Sequence, residues 1–227
     1  MNDTNAKLKV ILTGVTGMVG EGVLFECLEN PAVELVLMVN RRPYPKQHAK
    51  LKELIVPDFL KIETVAEQLA GYDACFFCAG ISSVGMSEAE YTRITYDTTL
   101  HVAQVLAGIQ PSMVFIYVSG AGTDSTEQGK TMWARVKGRT ENALGRCGFR
   151  AEYNFRPGAM KPYPGQRNLP WWFHLFGWLF PLVRLIAPNS VSTMQQVGRA
   201  MIHATTYGAP STVLEVKDIN ALGKETL

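Results

Sequence analysis

Cysteine is scarce in this chain. Cys27, Cys75, Cys78 and Cys147 are the four present in 227 residues, too few to staple a chain of that length, so a disulfide framework is excluded. A charge surplus of one sign is lacking too. A formal balance of +2 with dispersed Lys and Arg leaves no strong field for nucleic acid or an acidic membrane. Met1 to Lys9 is polar and charged rather than a secretory apolar run, so a cytoplasmic location is expected. Repeats and low-complexity stretches are missing, and no metal site is expected. The one CxxC, Cys75 to Cys78, lies inside an apolar run that reads as a central strand. Residues three apart on a strand face opposite ways, so these thiols read as small buried side chains rather than a redox pair or zinc half-site.

What is there is a large apolar fraction, 47%, enough for one domain over residues 1–227 with a substantial core. Strand-like runs recur near 8–13, 33–39, 53–56, 73–79, 113–119, 150–155 and 212–216, mostly with helical patterns between them. Alternation of that kind predicts an α/β fold, a doubly wound parallel sheet in the Rossmann order 3-2-1-4-5-6 with a short seventh strand. Ser87-Glu88-Ala89-Glu90 has the form of a capping box opening a helix toward Leu106, with Gly108 and Pro111 ending it.

The most informative segment joins the first strand to the first helix: Thr13-Gly14-Val15-Thr16-Gly17-Met18-Val19-Gly20. Glycines at every third position let the backbone turn tightly and approach a pyrophosphate, which then sits at the positive end of the helix dipole. Strand before and helix after raise this above a chance spacing, and Gly14, Thr16, Gly17, Met18, Val19 and Gly20 are the expected contacts. The second strand then selects the cofactor. An acid about twenty residues past the loop holds the ribose of NAD. Here Val39 is followed by Asn40-Arg41-Arg42, and two guanidiniums suit a 2′-phosphate, so NADP(H) is expected. Asp58, past the third strand, is a candidate for the adenine amino group, and Cys78, Ala79 and Gly80 for backbone passing the adenine ribose.

Ser119 after the fifth strand, Met132-Trp133-Ala134-Arg135-Val136-Lys137-Gly138 on the next helix, and Arg156-Pro157-Gly158 complete a pattern running through nearly the whole chain. It resembles the atypical and extended branch of the short-chain dehydrogenase/reductase superfamily. Within it the pattern is similar to the Tat-interacting, NADPH-binding group and bacterial relatives labelled epimerase- or semialdehyde-dehydrogenase-like. The resemblance implies that Lys137 binds the nicotinamide ribose, that Ser119 orients the substrate oxygen, and that Pro157 and Gly158 border the cofactor. It also implies a tyrosine four residues before the lysine. That position holds Trp133, whose indole donates a hydrogen bond but does not ionise near neutral pH. Three readings stay open: catalysis with a substitute donor among Tyr91, Tyr96 and Tyr163, catalysis needing no protein acid, or cofactor binding without turnover.

Residues 156–190 read as a substrate-side loop and aromatic lid. Leu169 to Ala187 is almost wholly apolar with one full charge, Arg184. Such a segment buries itself in protein, a partner or lipid, so lid or subunit interface, then peripheral membrane contact through 169–187, and last a membrane span, which Pro181 and Arg184 oppose, are the alternatives. An aromatic lid favours an apolar or amphipathic small molecule over a sugar nucleotide, with Arg156, Lys161 or Arg167 available for an anionic end. The expected protein is a monomer or homodimer that oxidises or reduces a carbonyl or alcohol carbon; the rival is a cofactor-sensing binding protein.

Overall fold

The computed structural model describes residues 7–167, 169 and 185–225. Seven parallel strands form its main sheet: β1 Leu8–Thr13, β2 Val33–Asn40, β3 Leu51–Ile55, β4 Ala74–Phe77, β5 Val114–Val118, β6 Ala151–Arg156 and, at the far edge, β9 Val213–Glu215. Their order is β3-β2-β1-β4-β5-β6-β9. This is the doubly wound arrangement expected from the alternating pattern, with the seventh strand short and beside the sixth. Residues on successive positions of one strand divide between two cores. Val10, Leu12, Phe76 and Ile116 pack on the face covered by α1 Met18–Glu29 and α5 Met194–Tyr207. Ile11, Cys75, Phe77, Phe115 and Tyr117 pack on the other, against α3 Thr98–Ile109 and a 3₁₀ segment Phe59–Leu69. Both faces being apolar, a parallel sheet is the arrangement that buries them.

Cys75 and Cys78 do face opposite cores, as strand alternation requires, and burial pushes both thiols well up. All four cysteines are free. Among the described residues no group of His, Cys, Asp and Glu could hold a metal ion, and no helix is long and apolar enough to cross a membrane.

Several elements depart from the sequence reading. The helix opened by the Ser87 capping box is α2 Glu88–Thr92, then a π-helical turn Arg93–Asp97, then α3. Thr98 Oγ1 donates to the carbonyl of Arg93 at 3.0 Å inside that turn. A second, two-stranded parallel sheet joins β7 Ala159–Lys161 to β8 Val191–Thr193, placing the start of the 156–190 stretch beside its end. The aromatic segment between them lies almost entirely at residues 170–184, outside the described residues, so its expected roles as lid, interface or membrane contact lie there too.

Candidate functional site

The carboxyl ends of β1, β2, β3 and β4 open into one cleft of about 1130 Å³, comparable to or larger than ordinary small-molecule pockets. Its floor is the glycine loop. Gly14 has φ +74°, and a Cβ there would stand 2.5 Å from the carbonyl oxygen of Cys78. A Cβ on Gly20 would stand 2.2 Å from the carbonyl oxygen of Gly14. Both positions therefore demand glycine, one for the turn and one for the packing of α1 on the loop. Gly17 N-caps α1 with no side-chain cap, so the dipole end of that helix faces the cleft bare. Thr13 Oγ1 accepts from the amide of Ala79 at 3.2 Å, tying the loop after β4 to the loop after β1.

Gly14, Thr16, Gly17, Arg41, Arg42, Asp58, Cys78, Ala79 and Gly80 all line this cleft. Met18, Val19 and Gly20 stand just behind it in the first turn of α1. Arg41 and Arg42 are exposed and make no hydrogen bond or ion pair with another described residue. Asn40, at the position where an acid was absent, is buried and donates to Glu53 Oε1 at 3.2 Å. Asp58 Oδ1 accepts from the amide of Leu60 at 3.1 Å as the cap of the 3₁₀ segment. One of its oxygens is thus committed to the fold.

Beyond β5 lies a second group, built on the turn from Ser119 to Thr123 and on α4 Met132–Leu144. Lys137 Nζ donates to the carbonyl of Ser119 at 2.7 Å and stands 3.4 Å from that of Val118. Burial pushes its pKa down to about 8, with the carboxylate of Glu141 opposing the shift. Thr123 Oγ1 donates its single proton to the carbonyl of Gly120 at 2.8 Å. The 2.9 Å contact between Ser119 Oγ and Thr123 Oγ1 must then be donated by Ser119, leaving the lone pairs of Ser119 to accept. Trp133, one helical turn before Lys137, lies against the same turn. A Cβ on Gly120 or Gly122 would stand 3.9 or 3.7 Å from its ring, and its N–H has no partner among the described residues.

The turn is braced from behind. Gly138 packs so closely on the carbonyl of Asp124 that no Cβ fits, and Asp124 accepts from the amide of Gly129 at 2.6 Å. Pro157 accepts from the amide of Ala121 at 3.1 Å, and Gly158 lies against the carbonyl of Ser190, 2.3 Å from where its Cβ would be. Pro157 thus holds the Ser119 turn from the side of β6, while Gly158 packs on the segment leading into β8.

Arg156 is placed differently from its expected anion-capturing part. It is buried and donates to Glu141 through Nε at 3.0 Å, to Glu215 through Nη1 at 3.1 Å and to Ser125 through Nη2 at 2.6 Å. Those bonds occupy the guanidinium in a brace between α4, β6 and β9. Tyr163 is likewise removed from the substitute donors: its hydroxyl donates to Glu29 at the far end of α1. Tyr91 is buried in the helical layer, which pushes its pKa up. Tyr96 lies under the guanidinium of Arg139, 4.3 Å from ring centroid to Cζ. Sequence reasoning missed Thr123, which a hydroxyl four residues past the serine could have signalled, and Glu21. Glu21 is fully buried in the first turn of α1, accepts from the Tyr44 hydroxyl at 2.6 Å and from the amide of Arg167 at 3.0 Å.

A family model described as the NAD dependent epimerase/dehydratase family matches residues 10–133. Among curated proteins, the leucinostatins biosynthesis cluster protein T of Purpureocillium lilacinum is 25% identical over 86% of this chain and 83% of its own. Protein fmp52, mitochondrial, of Emericella nidulans is 28% identical over 70% of this chain and 68% of its own. The crystal structure of Helicobacter pylori ADP-L-glycero-D-manno-heptose-6-epimerase superposes with a TM-score of 0.67 at 15% identity, covering 99% of this chain and 82% of that one. The Bordetella bronchiseptica enzyme WbmF, in complex with NAD+, gives 0.66 at 13%, covering 96% and 77%. At those identities the structures share the fold.

Proposed function

The chain belongs to the NAD-dependent epimerase/dehydratase family, and from that premise we propose that it is an NADP(H)-dependent oxidoreductase acting on a carbonyl or alcohol carbon of an apolar or amphipathic small molecule. One observation carries the reading. The cleft that starts at the glycine loop ends at two guanidiniums with no partner among the described residues, where the second strand of an NAD enzyme offers a carboxylate. A 2′-phosphate is the group of that cofactor class whose charge and geometry use them.

The residues suit such a cofactor. The bare helix end at Gly17 admits a pyrophosphate, on the tight loop that the absent Cβ atoms at Gly14 and Gly20 allow. Bound nicotinamide would supply hydride exchange at a carbon, and the chain supplies the rest. Ser119 Oγ, its own proton held by Thr123, accepts from the hydroxyl of an alcohol. Lys137, with two backbone carbonyls before it, keeps an N–H for the nicotinamide ribose. Trp133 caps the pocket with an apolar face and offers one fixed donor. The hydrophobic composition of 169–187 supports an apolar substrate. A cytoplasmic location and a monomeric or homodimeric state belong to the same proposal.

Trp133 also favours a second reading, a cofactor-sensing protein that binds NADPH without rapid turnover, since a missing acid–base group costs about a hundredfold to ten-thousandfold in rate. The test has two steps. Affinities for NADPH and NADH are measured for wild type and for Arg41→Ala/Arg42→Ala; wild type should favour NADPH by about tenfold or more, and the double variant should lose that preference. Equal affinity of wild type for both cofactors overturns the NADP assignment. Oxidation of bound NADPH by a panel of aldehydes, ketones and quinones then separates the enzyme from the sensor.

A further inference from the structure

We propose that Arg93 is a third phosphate-binding residue of the cleft, closing on the 2′-phosphate of NADP(H) from the side opposite Arg41 and Arg42; the inference rests on the NADP(H) reading above. Sheet order sets up the arrangement. β1 lies between β2 and β4, so the cleft above its end has one side made from the segment after β2 and another from the segment after β4. Arg41 and Arg42 follow β2, and Arg93 opens the π-helical turn in the helical run after β4. All three line the cleft.

What separates Arg93 from the arginines around it is the absence of any other employment. Arg135 Nη2 pairs with Glu88 at 2.7 Å, and Arg139 lies over the ring of Tyr96. The guanidinium of Arg93 makes no hydrogen bond, ion pair or ring contact with a described residue. The two carboxylates that share the cleft are engaged elsewhere through one oxygen each: Asp58 caps the 3₁₀ segment, and Glu90 Oε2 accepts from the amide and hydroxyl of Ser87. Three guanidiniums face two acids that bind none of them, which leaves a site short of negative charge.

Position gives Arg93 a task that its fellows, both on the β2 side of the cleft, do not perform. Arg41 and Arg42 are consecutive, exposed residues in the bend leaving β2, on one side of the cleft. One can fork onto a phosphate while the other turns to the adenine face or to water. A phosphate dianion is best held by more than one guanidinium, and the second comes from across the cleft. Ile94, beside Arg93 and also lining the cleft, offers an apolar face to the adenine that the phosphate accompanies. A π-helical turn is a common device at binding sites because its extra residue re-aims one side chain without ending the helix.

The experiment measures binding, not turnover. Dissociation constants for NADPH, NADH and 2′,5′-ADP are determined with the full chain, for wild type, Arg93→Ala and Arg93→Lys, with melting temperatures of the unliganded proteins as a check. The expected result is a loss of about tenfold for NADPH and 2′,5′-ADP in Arg93→Ala, a change below about threefold for NADH, and partial recovery with lysine, which keeps the charge without the fork. Unchanged NADPH binding overturns the proposal, and so does an equal loss for NADPH and NADH. A wild type without preference for NADPH sinks the NADP reading itself. A preference undiminished in Arg93→Ala sinks only the part given to Arg93. Should Arg93→Ala melt early, Arg93→Lys decides: NADPH binding unaltered from wild type, with no change in the ratio to NADH, overturns the proposal.

Discussion

The charge on Lys137 is held at a cost, and that cost has a sign. An unfolded lysine keeps its proton to about 10.5, while in the folded chain burial brings the value down to about 8. Between those values the unfolded state binds more protons, so the stability contributed at this position rises with pH. At neutral pH the folded protein carries the full penalty of a desolvated ammonium. Each pKa unit is worth about 1.4 kcal/mol, so the pH-linked part amounts to several degrees in melting temperature. Lys137→Met should therefore show its best melting temperature relative to wild type near pH 7, and that relative value should fall steadily toward about pH 10. A difference that stays flat over this range contradicts a depressed lysine.

At the same scale, residue type was legible and residue partnership was not. Ser119 and Lys137 could be picked by resemblance to the short-chain dehydrogenase/reductase pattern, and the structure brings them to one turn. Arg156 could not be read correctly, because a buried guanidinium held by Glu141 and Glu215 looks in sequence like a free one. The partners are 15 and 59 residues away. No local pattern encodes such pairing.

Helix α4 illustrates how an element sets the geometry of a site. Its approach to the neighbouring turn depends on a glycine: Gly138 meets the carbonyl of Asp124 with no room for a methyl group. Neighbouring bonds hold the same seam, Arg135 Nη1 donating to the carbonyl of Gly129 at 2.6 Å and Asn142 Nδ2 to that of Ser125 at 3.0 Å. Gly138→Ala must push α4 away from the turn that carries Ser119, and overpacking of that kind costs about 1–3 kcal/mol. Circular dichroism melts should record the loss. NADPH affinity should fall with it if Lys137 reaches the ribose, whereas unchanged melting would show that the seam yields freely.

Elements also differ in how far the sequence announces them. Long strands and α1 follow from alternation and glycine punctuation, and Ser87 with Glu90 opens a helix as a capping box should. The pair β7 and β8 has three residues per strand, too few for any periodicity to register. The π-helical turn at Arg93–Asp97 leaves the apolar spacing helical, so it too is silent in the sequence.

For the whole molecule, strand order was the most legible property, because parallel strands with two apolar faces and right-handed crossovers admit few arrangements. The least legible was how the two halves of the chain are joined. Contacts along α1 contribute to this: Gln166 Nε2 donates to the carbonyl of Met18 at 2.7 Å, the amide of Arg167 to Glu21, the hydroxyl of Tyr163 to Glu29, and Arg199 Nε to Glu26 at 3.0 Å. Glu21 is held at once by Tyr44, two residues beyond Arg42.

The loop from Tyr163 to Arg167 is thereby fastened to the same helix whose first turn would meet the cofactor. A segment so fastened cannot open to solvent without disturbing its anchor, and the reverse holds as well. Amide deuterium uptake at Gln166 and Arg167 should slow when NADPH is added, in step with uptake at Gly17 to Gly20, and Glu21→Gln should uncouple the two. The loop would then act as a gauge of an occupied cleft that it does not itself touch.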